Sequence, residues 1–147
     1  MPRDPVALVV ERLAWSGRLT QASGFDVRLA PYETDVRVAG TGGVVVAVVP
    51  TPGGWGAGGV ATWRQPRVTV NVYADVSRDE FGSSVADDAA ERALTVWSLI
   101  DPELHPVTHS TWADVVSCRR SGEPEVIPVP NGDGAVLLST LYELALL

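Results

Sequence analysis

Between Arg67 and Ala74 the chain alternates without a break, with Val68, Val70, Val72 and Ala74 on one side and Arg67, Thr69, Asn71 and Tyr73 on the other. Successive side chains of a strand point to opposite faces, so a period of two held this long predicts a strand with one face on a core. Pro66 marks its start or a bend. Such a strand needs partners, and the flanking segments offer them. From Gly24 onward Val27 and Leu29, then Val36 and Val38, keep the same period, with turn chemistry at Pro31 and at Gly40-Thr41-Gly42-Gly43. Val44 to Val49 is apolar on both faces, which suits a strand covered twice, either by its own domain or by a neighbouring subunit. Trp112 to Arg119 and Ala135 to Leu147 read as two more strands, joined by a punctuated connection from Gly122 to Gly134. The last strand ends on Leu144-Ala145-Leu146-Leu147 and is expected to be tied into a sheet.

Two segments switch to the helical period. Asp4 before Pro5 is a helix start, the carboxylate accepting free amides and the proline standing where its missing N–H costs nothing. Val6, Val9, Val10 and Leu13 then recur at helical spacing up to Trp15, and Ser16-Gly17 ends the segment. A longer helix opens at one of two capping boxes, Ser77-x-x-Glu80 or Ser84-x-x-Asp87. Its stripe of Ala86, Ala89, Ala90, Ala93, Val96, Trp97 and Ile100 is small at first and bulky later, and Asp101-Pro102 is expected to close it. The 147 residues suit one domain, 1–147, with no internal repeat. The expected class is α+β: a mainly antiparallel sheet, the Ser84 to Ile100 helix across one face, and the Pro5 to Trp15 helix beside it.

Charge and cysteine usage narrow the function. A formal net charge of -7 argues against a protein that grips phosphates, whose affinity comes from neutralising them. All eleven basic residues are Arg, and Ala, Gly and Val abound, a bias that GC-rich codons produce without selection on function. Cys118 is alone, so no internal disulfide holds the fold and a reducing compartment is the default. No apolar run reaches the roughly 18 to 20 residues that cross a bilayer, and the segment after Met1 lacks the apolar stretch of an export signal.

The constellations that could carry chemistry are weak. Gly54-x-Gly56-x-x-Gly59 matches a dinucleotide fingerprint in letters, but Val60-Ala61-Thr62-Trp63 follows it, strand-like, where a helix must offer its amides to the pyrophosphate. The segment from Pro50 to Gly59 reads instead as a loop that glycine makes costly to order. Trp55 at its centre is either tucked against its own domain or aimed at a partner. His105 and His109 stand four apart, with Asp114 and Cys118 as further ligand types, but Pro106 breaks the helix that would align them. Two surface histidines are the expectation there. Cys118 lies mid-strand and is read as a buried, inert thiol. Asp79, Glu80, Asp87, Asp88 and Glu91 crowd the outer side of the long helix, where a solvated face is the plain reading. No catalytic, cofactor-binding or metal-binding residue is assigned.

The order of segments resembles the tail terminator proteins of long-tailed phages. An N-terminal helix leads to strands, then to Pro66-Arg67-Val68-Thr69-Val70-Asn71-Val72-Tyr73-Ala74 before the long helix. Arg120-Ser121-Gly122-Glu123-Pro124 and Pro128-Val129-Pro130-Asn131-Gly132 follow, then a strand bearing Leu141-Tyr142-Glu143-Leu144. The resemblance runs from about Pro5 to the end, and the glycine loop from Pro52 to Gly59 departs from it. It implies a non-enzymatic subunit of a ring, six copies by resemblance, that caps the tail tube and joins it to the neck. The implied partners are further copies, the tube protein and a neck or connector protein. DNA would pass through unbound, no membrane is involved, and the protein, made in the host cytoplasm, would reside in the virion. Trp55, Val44, Val46, Val48 and Trp63 are the candidate contacts between subunits or with the tube. Asp79, Glu80, Asp87, Asp88 and Glu91 are candidates for an acidic lining that keeps the duplex from sticking. Rivals are a head-to-tail adaptor, a small ligand-binding or hydrolytic domain using the His105 to Cys118 region, and a general interaction module.

Overall fold

The computed structural model describes residues 4–16, 27–32, 44–51, 66–75, 88–105, 107–108, 112, 115–129 and 135–146. Helix α1 spans Pro5–Ser16, and strands β1 (Val27–Pro31), β2 (Val44–Pro50) and β3 (Arg67–Ala74) follow. Helix α2 (Asp88–Leu104) leads into β4 (Val107–Thr108), β5 (Val115–Arg120), β6 (Glu125–Pro128) and β7 (Val136–Leu146). The seven strands form one sheet in the order β1-β2-β3-β7-β5-β4, with β6 also paired to β7.

Asp4 caps α1 as its position suggests, its Oδ1 accepting from the Val6 amide at 3.0 Å and its carbonyl from Leu8 at 3.0 Å. Val6, Leu8, Val9 and Leu13 are buried against the sheet, and the outward Glu11 stays exposed. From α2 the residues Ala89, Ala93, Val96, Ile100 and Leu104 enter the same core. They meet Val44, Val46 and Val48 of β2, Val68, Val70 and Val72 of β3, and Leu138, Tyr142 and Leu144 of β7. Each fully buried valine contributes roughly 1.5 kcal/mol. The opposite face of the sheet holds a smaller cluster of Ala30, Val45, Ala47, Tyr73 and Ala135. Arg92, buried on α2, donates through Nη2 to the Asp75 carbonyl and ties the helix to the end of β3.

Four expectations need correction. The sheet is mixed and not the mainly antiparallel one foreseen, because β1 runs parallel to β2, with Val27 opposite Val44 and Pro31 opposite Val48. A dozen residues separate the two strands, the length a parallel crossover needs. Val36 and Val38 lie outside the described residues. The long helix does not close at Asp101-Pro102 but continues to Leu104 with Pro102 inside it. The amide missing at Pro102 would serve the Ser98 carbonyl, on the exposed side, while burial of Leu104 holds the last turn down. Its expected start at Ser84 lies outside the described residues. The connection from Gly122 to Gly134 contains a strand, β6, and the loop after α2 contains the short β4. Finally, Val44 to Val49 needs no neighbouring subunit to cover it, since Val44 to Val48 are buried within the chain on both faces.

Candidate functional site

Hydrogen-bond parity runs consistently across the sheet and fixes which backbone groups each edge presents. Thr51 donates to the Arg67 carbonyl at 3.1 Å, and Leu144 to the Pro66 carbonyl at 2.9 Å, so odd residues of β3 bond β2 and even ones bond β7. Val129 donates to the Ala135 carbonyl at 3.0 Å, which makes Ile127 and Glu125 the β6 residues bonded to Leu137 and Ser139. Val126 and Pro128 therefore turn their backbone outward, and Pro128 has no N–H to offer. At the other edge Tyr32 donates to the Val48 carbonyl at 2.8 Å, so Ala30 and Arg28 bond β2 while Val27, Leu29 and Pro31 face outward.

β6 is exposed along all four residues, Glu125, Val126, Ile127 and Pro128. Val126 (43% exposed) and Ile127 (37%) put apolar side chains on the two faces of the edge. β5 and β6 lie in succession along one side of β7, separated by Ser121 to Pro124, where Gly122 takes a φ of 87° and Ser121 donates to the Leu141 carbonyl at 2.8 Å. Glycine suits that left-handed position, although nothing stands within 4 Å of where its Cβ would be.

On the face away from the helices the register brings three charges into a row. Arg67 Nη2 lies 3.0 Å from Glu143 Oε1, and Arg119 Nη2 lies 3.1 Å from Glu143 Oε2. Thr51 and Thr69 share a hydroxyl hydrogen bond of 2.6 Å beside them.

A second polar cluster locks the end of α2 to the sheet. Asp101 accepts from the Tyr142 hydroxyl at 2.8 Å and from Arg120 Nη1 at 2.7 Å. Arg120 also lies over the Trp97 ring at 5.4 Å and donates from Nε to the Gly122 carbonyl at 2.9 Å. Burial, then the bond to Asp101, push the Tyr142 hydroxyl far above the ordinary tyrosine range. His105 is half-buried, and its Nδ1 accepts the Arg120 amide at 2.8 Å, which occupies that nitrogen. His109 lies outside the described residues, among which no group of three or more metal-ligating side chains occurs. Cys118 is buried, which pushes its thiol up to about 12 and leaves it a poor nucleophile. No helix among the described residues is long and apolar enough to cross a membrane.

Of the contact and acidic-face candidates, Val44, Val46, Val48, Asp88 and Glu91 fall among the described residues. Val44, Val46 and Val48 are inside the core, their side chains shut off from any partner. Trp55, Trp63, Asp79, Glu80 and Asp87 lie outside the described residues. Asp88 begins α2, and Glu91 is exposed on it with its carbonyl accepting from Thr95 Oγ1 at 2.9 Å. Sequence reading missed the β6 edge and the Arg67-Glu143-Arg119 row. The signal for β6 was available in Val126-Ile127, a short β-favouring stretch between Pro124 and Pro128.

No family model and no curated protein matches the chain. A chain from the virion of a native gene transfer agent particle shares its fold, with a TM-score of 0.52 and 13% identity over 97% of this chain and 93% of that one. A second solved structure, whose name states no function, aligns at a TM-score of 0.45 with 21% identity over 92% of this chain and 94% of its own.

Proposed function

We propose that the chain is a structural subunit of a phage-type particle, and within it the tail terminator: a ring that caps the tail tube and joins it to the neck. The observation that carries this reading is the fold shared end to end with a chain of a gene transfer agent virion, 97% of one chain on 93% of the other. The order of helices and strands from about Pro5 onward supports the finer assignment. Ring formation uses heterologous contacts, and an exposed sheet edge with apolar side chains is suitable material for them. The mechanism is occupancy: the ring covers the last tube layer so that no further subunit adds, and turns its other side to the neck.

Within this proposal Trp55 and Trp63 remain contact candidates, and Asp79, Glu80, Asp87, Asp88 and Glu91 remain candidates for an acidic lining. Val44, Val46 and Val48 are dropped as contacts, since their side chains are buried. Two facts weigh against a ligand-binding or hydrolytic domain at His105 to Cys118, namely the occupied Nδ1 and the buried thiol. Gold-labelled antibody on isolated tails and intact particles tests the assignment. Label at the head-proximal tip of isolated tails is expected, and label only on tail-free heads would make the protein an adaptor.

A further inference from the structure

Two edge strands of the sheet, β1 at one end and β6 beside β7, carry complementary backbone groups. At β6 the outward residues Val126 and Pro128 present two carbonyls and a single N–H, because proline has none. At β1 the outward Val27 and Leu29 present an N–H each as well as carbonyls. Among the described residues nothing pairs with the outer side of either strand. Charge differs in the same sense. Glu123 and Glu125 are exposed at the β6 end, and Arg28 is exposed on β1.

Resting on the reading of the chain as a ring subunit, we propose that copies join by continuing the sheet, β6 of one lying antiparallel to β1 of the next. With Leu29 opposite Val126 and Val27 opposite Pro128, three hydrogen bonds form: Leu29 N–H to the Val126 carbonyl, Val126 N–H to the Leu29 carbonyl, and Val27 N–H to the Pro128 carbonyl. Arg28 then stands opposite Ile127 and diagonal to Glu125, on the face away from the helices. Pairing β6 with β6 instead would make two hydrogen bonds and bring four exposed carboxylates, Glu123 and Glu125 from each copy, onto one seam. The edge chemistry thus disfavours a two-fold dimer and favours a head-to-tail contact, the kind that closes into a ring.

Residues 28 and 127 form a non-hydrogen-bonded pair in this register, whose short separation suits a disulfide. The test is oxidation of the full chain carrying Arg28→Cys and Ile127→Cys, with folding checked by circular dichroism. Buried Cys118 stays out of the reaction. The expected result is a reductant-sensitive ladder extending past the dimer, absent from either single variant. Charge exchange is the second measurement: Glu125→Arg is expected to weaken association at least several-fold, and Arg28→Glu in the same chain to restore it. A covalent dimer from Ile127→Cys alone would overturn the proposal in favour of β6 self-pairing. A ring in the unaltered chain, with neither ladder nor rescue, would overturn the edge pairing and leave the ring standing. An unaltered chain that is monomeric at every concentration would overturn both.

Discussion

Asp101 is where the cost of a single atom can be read most clearly, because one carboxylate satisfies both a buried tyrosine hydroxyl and a mostly covered guanidinium. Removing it by Asp101→Ala strands both partners, and a loss of about 2–4 kcal/mol is expected in urea unfolding. Tyr142→Phe leaves the ion pair with Arg120 in place and should cost about 1 kcal/mol. The two substitutions should not add, since they share a partner. Cys118 gives the pH signature. Its thiol is raised from 9.0 to about 12 in the fold, so the folded chain holds its proton after the unfolded chain has released it. The neutral thiol's contribution is therefore complete below pH 9 and is lost as pH rises from 9 towards 12. Labelling of Cys118 at pH 8 should follow global unfolding, and prompt labelling of the native chain would show the thiol exposed. At the surface the outer Arg119, 74% exposed, is expected to add under ~0.5 kcal/mol through Glu143.

The elements divide according to how local their signals are. The alternation from Arg67 to Ala74 and the Asp4-Pro5 cap were legible because period and capping are written in adjacent residues. Asp4→Ala should accordingly cost about 1 kcal/mol in thermal or urea unfolding. The parallel β1–β2 pairing was not legible, because strand direction depends on the route the chain takes between Pro31 and Val44 and not on the residues of either strand. Pro102 misled for a related reason: its local cost is outweighed by contacts of Leu104 and Asp101 with distant strands. β6 hid behind its prolines, which mark an edge and not a loop when they fall on the outward side of the ladder. Gly122 sets the break between β5 and β6, and Gly122→Ala should destabilise by about 1 kcal/mol through its φ of 87° alone. Of the candidate contacts the valines of β2 were misread, since an apolar run covered on both faces looks the same whether its own domain or a neighbour does the covering.

For the whole molecule the decisive property, on the proposed reading, is repetition about an axis. The chain spends its large valine core on one mixed sheet, with two helices packed on it, and leaves exposed carboxylates, Glu123 and Glu125, at the β6 edge and an exposed Arg28 on β1. Its charge of -7 keeps free copies apart at long range, so association should strengthen with salt as that repulsion is screened. Sedimentation at low and high ionic strength would check the direction. Electron micrographs of the purified full chain, taken across a concentration series, test the central claim most directly. The account predicts closed rings with a central hole, six copies around, and particles that are monomers at every concentration would contradict it.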